Sequence, residues 1–441
     1  MLTEGQRLFG TDGVRGIAND ELTVDFAMDL ARAASENING PVVIGRDTRR
    51  SGEMLSLAMQ AGFHSVGLDT IDVGILPTAA IAHTAAELDA SLGVVVSASH
   101  NPAADNGIKF FGGDGGKLTD ELEDRIEARL RTGPPWKTPK AGVGIRMPRP
   151  EAIDDYLGWL RADVAYTLRG IDVAIDGANG AAFLAAPRLF TELGLDVRTV
   201  ACEPDGLNIN DGCGATHPEF LASQSAGRIG LVFDGDADRF VAIDEDGIPL
   251  NGDEIMAIIA SHLHEKGGLK NNTVVVTVMT NIGFRRAMAE LGITVVETDV
   301  GDRYVLEAMR AHKANLGGEQ SGHVIFLDHI STGDGLLTAL RLLEVVAAKG
   351  RPLTELRKVM TSYPQVLRNV KIENRAGLEG ADAVWEAVRH TEEQLGDGGR
   401  VLIRPSGTEP LVRVMVEAQT KTEAATFADD LASVVRTALG D

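Results

Sequence analysis

A chain of 441 residues has room for roughly three domains, or four small ones. Its 64 acidic against 42 basic side chains leave a formal net charge of −22, which argues against a nucleic-acid or anionic-membrane surface. The only cysteines are Cys202 and Cys213, no apolar leader opens the chain, and no run approaches the ~18 apolar residues of a membrane span. The sequence therefore reads as cytoplasmic, without a disulfide framework, a zinc site or a membrane segment.

In chain order, Phe9-Gly10-Thr11-Asp12-Gly13-Val14-Arg15-Gly16 reads as a tight loop that holds Arg15, a residue type suited to gripping phosphate. Thr23 caps an expected helix to Ala34. A buried strand from Pro41 ends at Gly45 in a basic loop, Arg46-Asp47-Thr48-Arg49-Arg50. A helix from Ser51, a strand near Thr70–Val73 and a helix from about Pro77 to Leu88 follow. They lead to Gly93-Val94-Val95-Val96, an apolar run that breaks off into Ser97-Ala98-Ser99-His100-Asn101-Pro102 and then Asp105-Asn106-Gly107-Ile108-Lys109. By itself this stretch also fits an ordinary Asn-Pro turn. Strands alternating with helices predict parallel βαβ units, and ligands of such sheets bind outside the carboxyl ends of the strands. Gly112–Lys117 lacks the Walker spacing and is read as a turn before a helix Thr119–Arg131. Prolines between 134 and 150 mark a stiff linker and a boundary near 150.

A second α/β segment, 151–250, carries helices near 154–165 and 181–193 and strands at 173–175 and 230–233. The last runs into Asp234-Gly235-Asp236-Ala237-Asp238-Arg239. Strands stopping at Gly-rich charged loops near 45, 176 and 234 suggest a weak internal repeat. A third segment, 251–365, holds Gly318-Glu319-Gln320-Ser321-Gly322-His323. The last, 366–441, reads β-α-β-β-α around Arg404-Pro405-Ser406-Gly407-Thr408.

Asp234, Asp236 and Asp238 offer carboxylates to one hard cation. An EF-hand is disfavoured, because Arg239 stands where its loop needs glycine and the flanks look like strands. Arg404, Ser406, Gly407 and Thr408, with Arg413 on the next strand, suit a phosphate; a plain hairpin is the alternative. Glu319 and Ser321 can accept and donate hydrogen bonds to sugar hydroxyls. No Gly-x-Ser-x-Gly elbow surrounds Ser99, and adjacent Ser99 and His100 need not face each other as nucleophile and base. Phosphoryl transfer fits better, since it needs a metal, in-line positioning and cations to hold the phosphate that does not react.

Taken together, the loops at 11–16, 97–102, 234–239, 318–323 and 404–410 resemble the α-D-phosphohexomutase superfamily over essentially the whole chain. Asn208-Ile209-Asn210, Cys213–His217 and Val300–Tyr304 resemble its phosphoglucosamine branch. The resemblance implies four domains around a central cleft: three related α/β domains with mixed sheets and a smaller C-terminal α+β domain. It implies that Ser99 is a phosphoserine and that Asp234, Asp236 and Asp238 hold one Mg2+ together with that phosphate. Arg15, His100, Lys109 and His323 would lie near the reacting groups, Arg239, Glu319, Ser321 and His323 near the sugar, and the 404–408 loop with Arg413 at the distal phosphate. The implied reaction interconverts glucosamine 6-phosphate and glucosamine 1-phosphate through a 1,6-bisphosphate intermediate or activator, supplying amino-sugar nucleotide and cell-envelope synthesis. The expected partners are a small phosphosugar and at most a second copy of the chain. A sister mutase for glucose or mannose phosphates, a Mg2+-dependent phosphohydrolase and a non-catalytic calcium protein are the rivals.

Overall fold

The computed structural model describes residues 7–10, 12–136, 142–372, 377–405 and 411–440. The chain divides into two compact units. One comprises Met1–Met279 with Ile293–Lys358, the other Thr280–Gly292 with Val359–Asp441. Among the described residues, no helix is long and apolar enough to cross a membrane.

The first unit holds three sheets. The first is built from β1 (Val14–Ile17), β2 (Val42–Arg46), β3 (Thr70–Ile75), β4 (Leu92–Val96), β5 (Asp105–Gly112) and β6 (Arg146–Pro148), in the order β1-β5-β4-β2-β3-β6. β2, β3 and β4 are parallel, as the alternation with helices predicts. Val42, Val43, Ile44 and Val94–Val96 are fully buried, the pattern of parallel strands covered on both faces.

Three expectations are corrected here. β5 was not anticipated; it runs back antiparallel to β4, pairing Val95 with Lys109. Arg15 lies on β1, an edge strand paired Arg15 to Gly107, and not within a loop. The proline-rich segment before 150 is not only linker, because Arg146–Pro148 pairs with β3. Pro148 is tolerated at that edge because no ladder partner needs its missing N–H.

The second sheet comprises β7 (Asp172–Asp176), β8 (Asp196–Val200), β9 (Ile229–Phe233), β10 (Phe240–Ile243) and β11 (Pro249–Leu250), in the order β11-β10-β9-β7-β8. The third has β12 (Thr273–Thr277), β13 (Thr294–Thr298), β14 (Leu316–Gly318) and β15 (Val324–Phe326), in the order β13-β12-β14-β15. In each sheet a strand parallel to its inner neighbour turns directly into an antiparallel one: β4 into β5, β9 into β10, β14 into β15. The repeat thus has a different phase from the one the sequence suggested. The loops after residues 45 and 176 lead into helices, whereas the 234 loop is a strand-to-strand turn, equivalent to those at 97–104 and 319–323.

The second unit is a three-stranded antiparallel sheet of β16 (Gln365–Lys371), β17 (Arg400–Pro405) and β18 (Leu411–Glu417), in the order β16-β18-β17. With the helices Asp382–Leu395 and Lys421–Leu439 it reads β-α-β-β-α, as expected. The helix Ile282–Glu290 belongs to this unit. Its first amide donates to the buried Glu417 carboxylate at 3.0 Å, which also pairs with Arg400 at 2.7 Å.

Candidate active site

Three strand-to-strand loops of the first unit converge on Ser99. Its Oγ donates to Asp234 Oδ2 at 2.6 Å, and its side chain is buried. Its φ of 51° is left-handed, a conformation that costs an L residue energy and marks constraint by its surroundings. Ser97 Oγ accepts from the Ser99 amide at 2.9 Å and donates to Asp47 Oδ2 at 2.6 Å. Ser97 is therefore a brace for the loop.

His100 Nδ1 lies 3.3 Å from Ser99 Oγ, so the two adjacent side chains do face each other. Burial, reinforced by the charges of Arg239 and Arg15, pushes its pKa down to about 4. The ring is neutral near pH 7.

The carboxylates of Asp234, Asp236 and Asp238 each offer an oxygen within 4.8 Å of the others, and all three residues are buried. Asp234 also accepts the Arg239 amide at 3.1 Å. Asp236 accepts from Lys109 Nζ at 2.7 Å and from Thr78 Oγ1 at 2.6 Å, and Asp238 lies 3.4 Å from the same ammonium. Burial, then the neighbouring charges of Asp238 and Asp236, raise the pKa of Asp234. Burial opposes the charge on Lys109, but Asp236 and Asp238 outweigh it and raise its pKa. The Oδ1 atoms of Asp236 and Asp238 are buried and have no hydrogen-bond partner among the described residues. Buried, unmatched carboxylate oxygens are costly alone, and an all-oxygen donor set of this spacing suits a hard divalent cation such as Mg2+. The residues fit the metal.

Around the triad runs a chain of charges. His323 Nδ1 lies 3.7 Å from Asp238 Oδ2, and its Nε2 lies 3.4 Å from Asp302 Oδ2 and 3.0 Å from the Gly333 amide. Burial opposes protonation of His323, but Asp238 and Asp302 raise its pKa. Asp302 is ion-paired with Lys117, which is 3.8 Å from Asp12. Asp12 in turn lies 3.2 Å from Arg15, whose other terminal nitrogen donates to Asn101 Oδ1 at 3.1 Å. Burial disfavours the charge on Asp12, yet Lys117, Lys109 and Arg15 hold its carboxyl below the usual range. Arg239 keeps its charge against burial through Asp238 and Asp234.

In the 319–323 loop, Glu319 accepts from the Gly301 amide at 3.0 Å and from Ser321 Oγ at 3.3 Å. The backbone of Gly252 approaches so closely that a Cβ there would lie 2.1 Å from Glu319 O, which fixes this loop against the helix Gly252–Glu265. The structure thus brings Ser99, His100, Lys109, Arg15, the three aspartates, Arg239 and His323 together, with Glu319 and Ser321 on the same loop as His323. Arg404 and Arg413 belong to the second unit, where they stand directly opposite each other on β17 and β18. Ser406, Gly407 and Thr408 lie outside the described residues.

Sequence reading missed Asp12, Asp47, Arg49, Thr78, Ser97 as a brace, Lys117, Asn210 and Asp302. Of these, Asp12, Asn210 and Asp302 lay within the motifs at 11–16, 208–210 and 300–304 without a role of their own, and Asp47 and Arg49 stood out as polar residues directly after a buried strand.

The sequence matches all four domains of one family, phosphoglucomutase/phosphomannomutase: alpha/beta/alpha domain I over residues 6–135, domain II over 154–247, domain III over 251–363 and the C-terminal domain over 367–434. The chain belongs to this family. Among relatives of the family, a Frankia alni protein named phosphoglucosamine mutase is 51% identical over 449 residues, covering 98% of this chain and 99% of the relative. A crystal structure of a phosphoglucomutase/phosphomannomutase family protein from Burkholderia thailandensis matches with a TM-score of 0.83 at 25% identity, covering 99% of this chain and 98% of that one. Aspergillus fumigatus N-acetylphosphoglucosamine mutase, solved with GlcNAc-6P and magnesium, shares the fold with a TM-score of 0.72 at 20% identity, covering 99% of this chain and 96% of that one.

Proposed function

We propose that this chain interconverts glucosamine 6-phosphate and glucosamine 1-phosphate by two phosphoryl transfers through Ser99. The observation that carries the reading is Ser99 Oγ at 2.6 Å from Asp234, against a buried carboxylate triad, in a chain half identical to a phosphoglucosamine mutase.

In the first transfer, O1 of the sugar attacks the phosphorus of phosphoserine 99; the P–Oγ bond breaks, the P–O1 bond forms, and the proton lost by O1 ends on the departing Ser99 Oγ. The product is the 1,6-bisphosphate. After it turns end for end, Ser99 Oγ attacks the phosphorus of the 6-phosphate; the P–Oγ bond forms, the P–O6 bond breaks, the serine proton passes to O6, and glucosamine 1-phosphate is left. Asp234, Asp236 and Asp238 would hold Mg2+, which when bound neutralises charge developing on the serine oxygen. Lys109 donates to two of these carboxylates and serves as fixed positive charge beside the transferred group. His100, being neutral, exchanges a hydrogen bond with Ser99 without adding charge. Arg15 and Arg239 attract the phosphoryl oxygens, and Glu319 and Ser321 orient the sugar by its hydroxyls.

Arg404 and Arg413, with the 406–408 segment, grip the phosphate that does not react.

Turnover of glucosamine, glucose and mannose 6-phosphates by one preparation tests the substrate. The expected order puts glucosamine first; faster turnover of mannose or glucose phosphate would reassign the chain to a sister mutase.

A further inference from the structure

Two backbone carbonyls of the serine loop each accept hydrogen bonds from the same two side chains. Arg49 Nη2 donates to Ser99 O at 2.9 Å and to Asn101 O at 2.8 Å. Asn210 Nδ2 donates to the same two oxygens at 2.9 and 3.0 Å. We infer that Arg49 and Asn210 are positioning residues for the phosphoryl donor, fixing Ser99 in the left-handed conformation that sets its Oγ against the carboxylate triad. The inference rests on Ser99 being the phosphorylated residue, and adds what holds it there.

Arg49 approaches from the loop after β2 and is 1% exposed, so water cannot replace it. Its remaining terminal nitrogen donates to Asp105 O at 3.0 Å and to Pro102 O. Its Nε pairs with Asp47 Oδ2 at 2.9 Å, the oxygen to which Ser97 Oγ also donates while accepting the Ser99 amide. Both the N–H and the C=O of Ser99 are thereby tied to one buried network. A planar guanidinium can reach four carbonyls and a carboxylate at once; an ammonium cannot.

Asn210 approaches from the second sheet's side, where its own amide donates to Ala178 O at 2.9 Å. Beside it, the backbone of Gly235 in the metal loop touches the same carbonyl: a Cβ there would lie 2.4 Å from Ser99 O and 2.8 Å from Asn210 Nδ2. The clamp therefore spans the serine loop and the segment that carries Asp234, and sets the spacing between Oγ and the triad. Loss of either donor lets Ser99 relax towards an unstrained φ and swings Oγ away from the metal. Neither residue is among those proposed to touch the sugar, so binding of substrate should survive.

The test is Asn210→Ala, with Arg49→Lys as a second variant, each measured for steady-state turnover of glucosamine 6-phosphate and for the rate at which glucose 1,6-bisphosphate phosphorylates Ser99, read by peptide mass spectrometry. A misplacement of about 1 Å costs roughly 100-fold in rate. The account predicts a fall in kcat and in the phosphorylation rate of that order, with KM for the sugar phosphate unchanged. A folded Asn210→Ala with wild-type kcat, or a loss confined to KM, overturns the clamp. Ser99→Ala separates the two levels: activity there removes the reading beneath, whereas a dead Ser99→Ala beside a fully active Asn210→Ala removes only the clamp. If Arg49→Lys does not fold, Asn210→Ala alone decides.

Discussion

Lys109 of β5 forms a buried ion pair with Asp236 of the loop between β9 and β10, Nζ to Oδ2 at 2.7 Å, joining the first sheet to the second. Removing one member of a buried pair leaves the other uncompensated and costs about 3–5 kcal/mol. Lys109→Ala should therefore lower the melting temperature and abolish turnover. Because the variant's triad carries one more unmatched negative charge, Mg2+ should raise its melting temperature more than it raises that of the wild type. Equal Mg2+ shifts in thermal scans of the two proteins would contradict the placement of the metal at these carboxylates.

Metal dependence should be complete and reversible. A chelator is expected to abolish turnover and Mg2+ to restore it, while Asp236→Asn and Asp238→Asn raise the Mg2+ concentration needed for half-maximal activity. Mg2+ bound to the folded state alone stabilises by mass action, about 2.7 kcal/mol at a hundred times its dissociation constant. Unfolding in denaturant with and without Mg2+ measures this.

Asp334 caps the helix Gly335–Lys349 through the Leu337 amide at 3.0 Å and accepts from Tyr156 Oη at 2.9 and 2.8 Å. Burial raises its pKa to about 6, against the lowering effect of the backbone and Tyr156 hydrogen bonds. The folded state thus binds this proton more tightly than the unfolded chain does. Its stabilising contribution is fully present below about pH 4 and is lost as pH rises through 6. Asn at 334 can still cap the helix, so Asp334→Asn should gain on the wild type as pH rises. Two pKa units correspond to roughly 3 kcal/mol. Denaturation curves for both proteins at pH 4.5 and 6.5 read the difference; parallel behaviour would show that Asp334 titrates normally.

Arg404 and Arg413 should act on binding. Arg404→Gln or Arg413→Gln removes a charge-assisted phosphate contact worth about 1.5–3 kcal/mol, so KM for the sugar phosphate should rise roughly 10- to 100-fold, with kcat less affected. Steady-state kinetics at several salt concentrations check this.

How much of this was legible in the sequence depends on what each residue bonds to. The loops at 97–102, 234–239 and 318–323 stood out because apolar strands end abruptly in small, charged or hydroxylated residues. β5 did not, because it opens with Asp105-Asn106-Gly107, which reads as a turn, and carries Lys109 in its middle. A buried lysine there makes sense only beside carboxylates 127 and 129 residues away. Arg15 was read as a phosphate-gripping residue but placed in a loop, because its flanking glycines, which belong to an edge strand and its turn, look like loop residues. Arg49 and Asn210 bond mainly to backbone carbonyls, which leave no mark in a sequence. His100 was discounted only as a base for Ser99, because adjacent side chains need not face each other, whereas the left-handed turn at Ser99 brings the two side chains within 3.3 Å.

The central claim is that Ser99 carries the transferred phosphoryl group. Its most direct test is peptide mass spectrometry of the protein after brief incubation with glucose 1,6-bisphosphate and Mg2+, followed by glucosamine 6-phosphate. The account predicts one phosphate per chain, on Ser99, lost to the sugar as bisphosphate forms. Turnover with no phosphate on Ser99, or with phosphate on Ser97 instead, would contradict it.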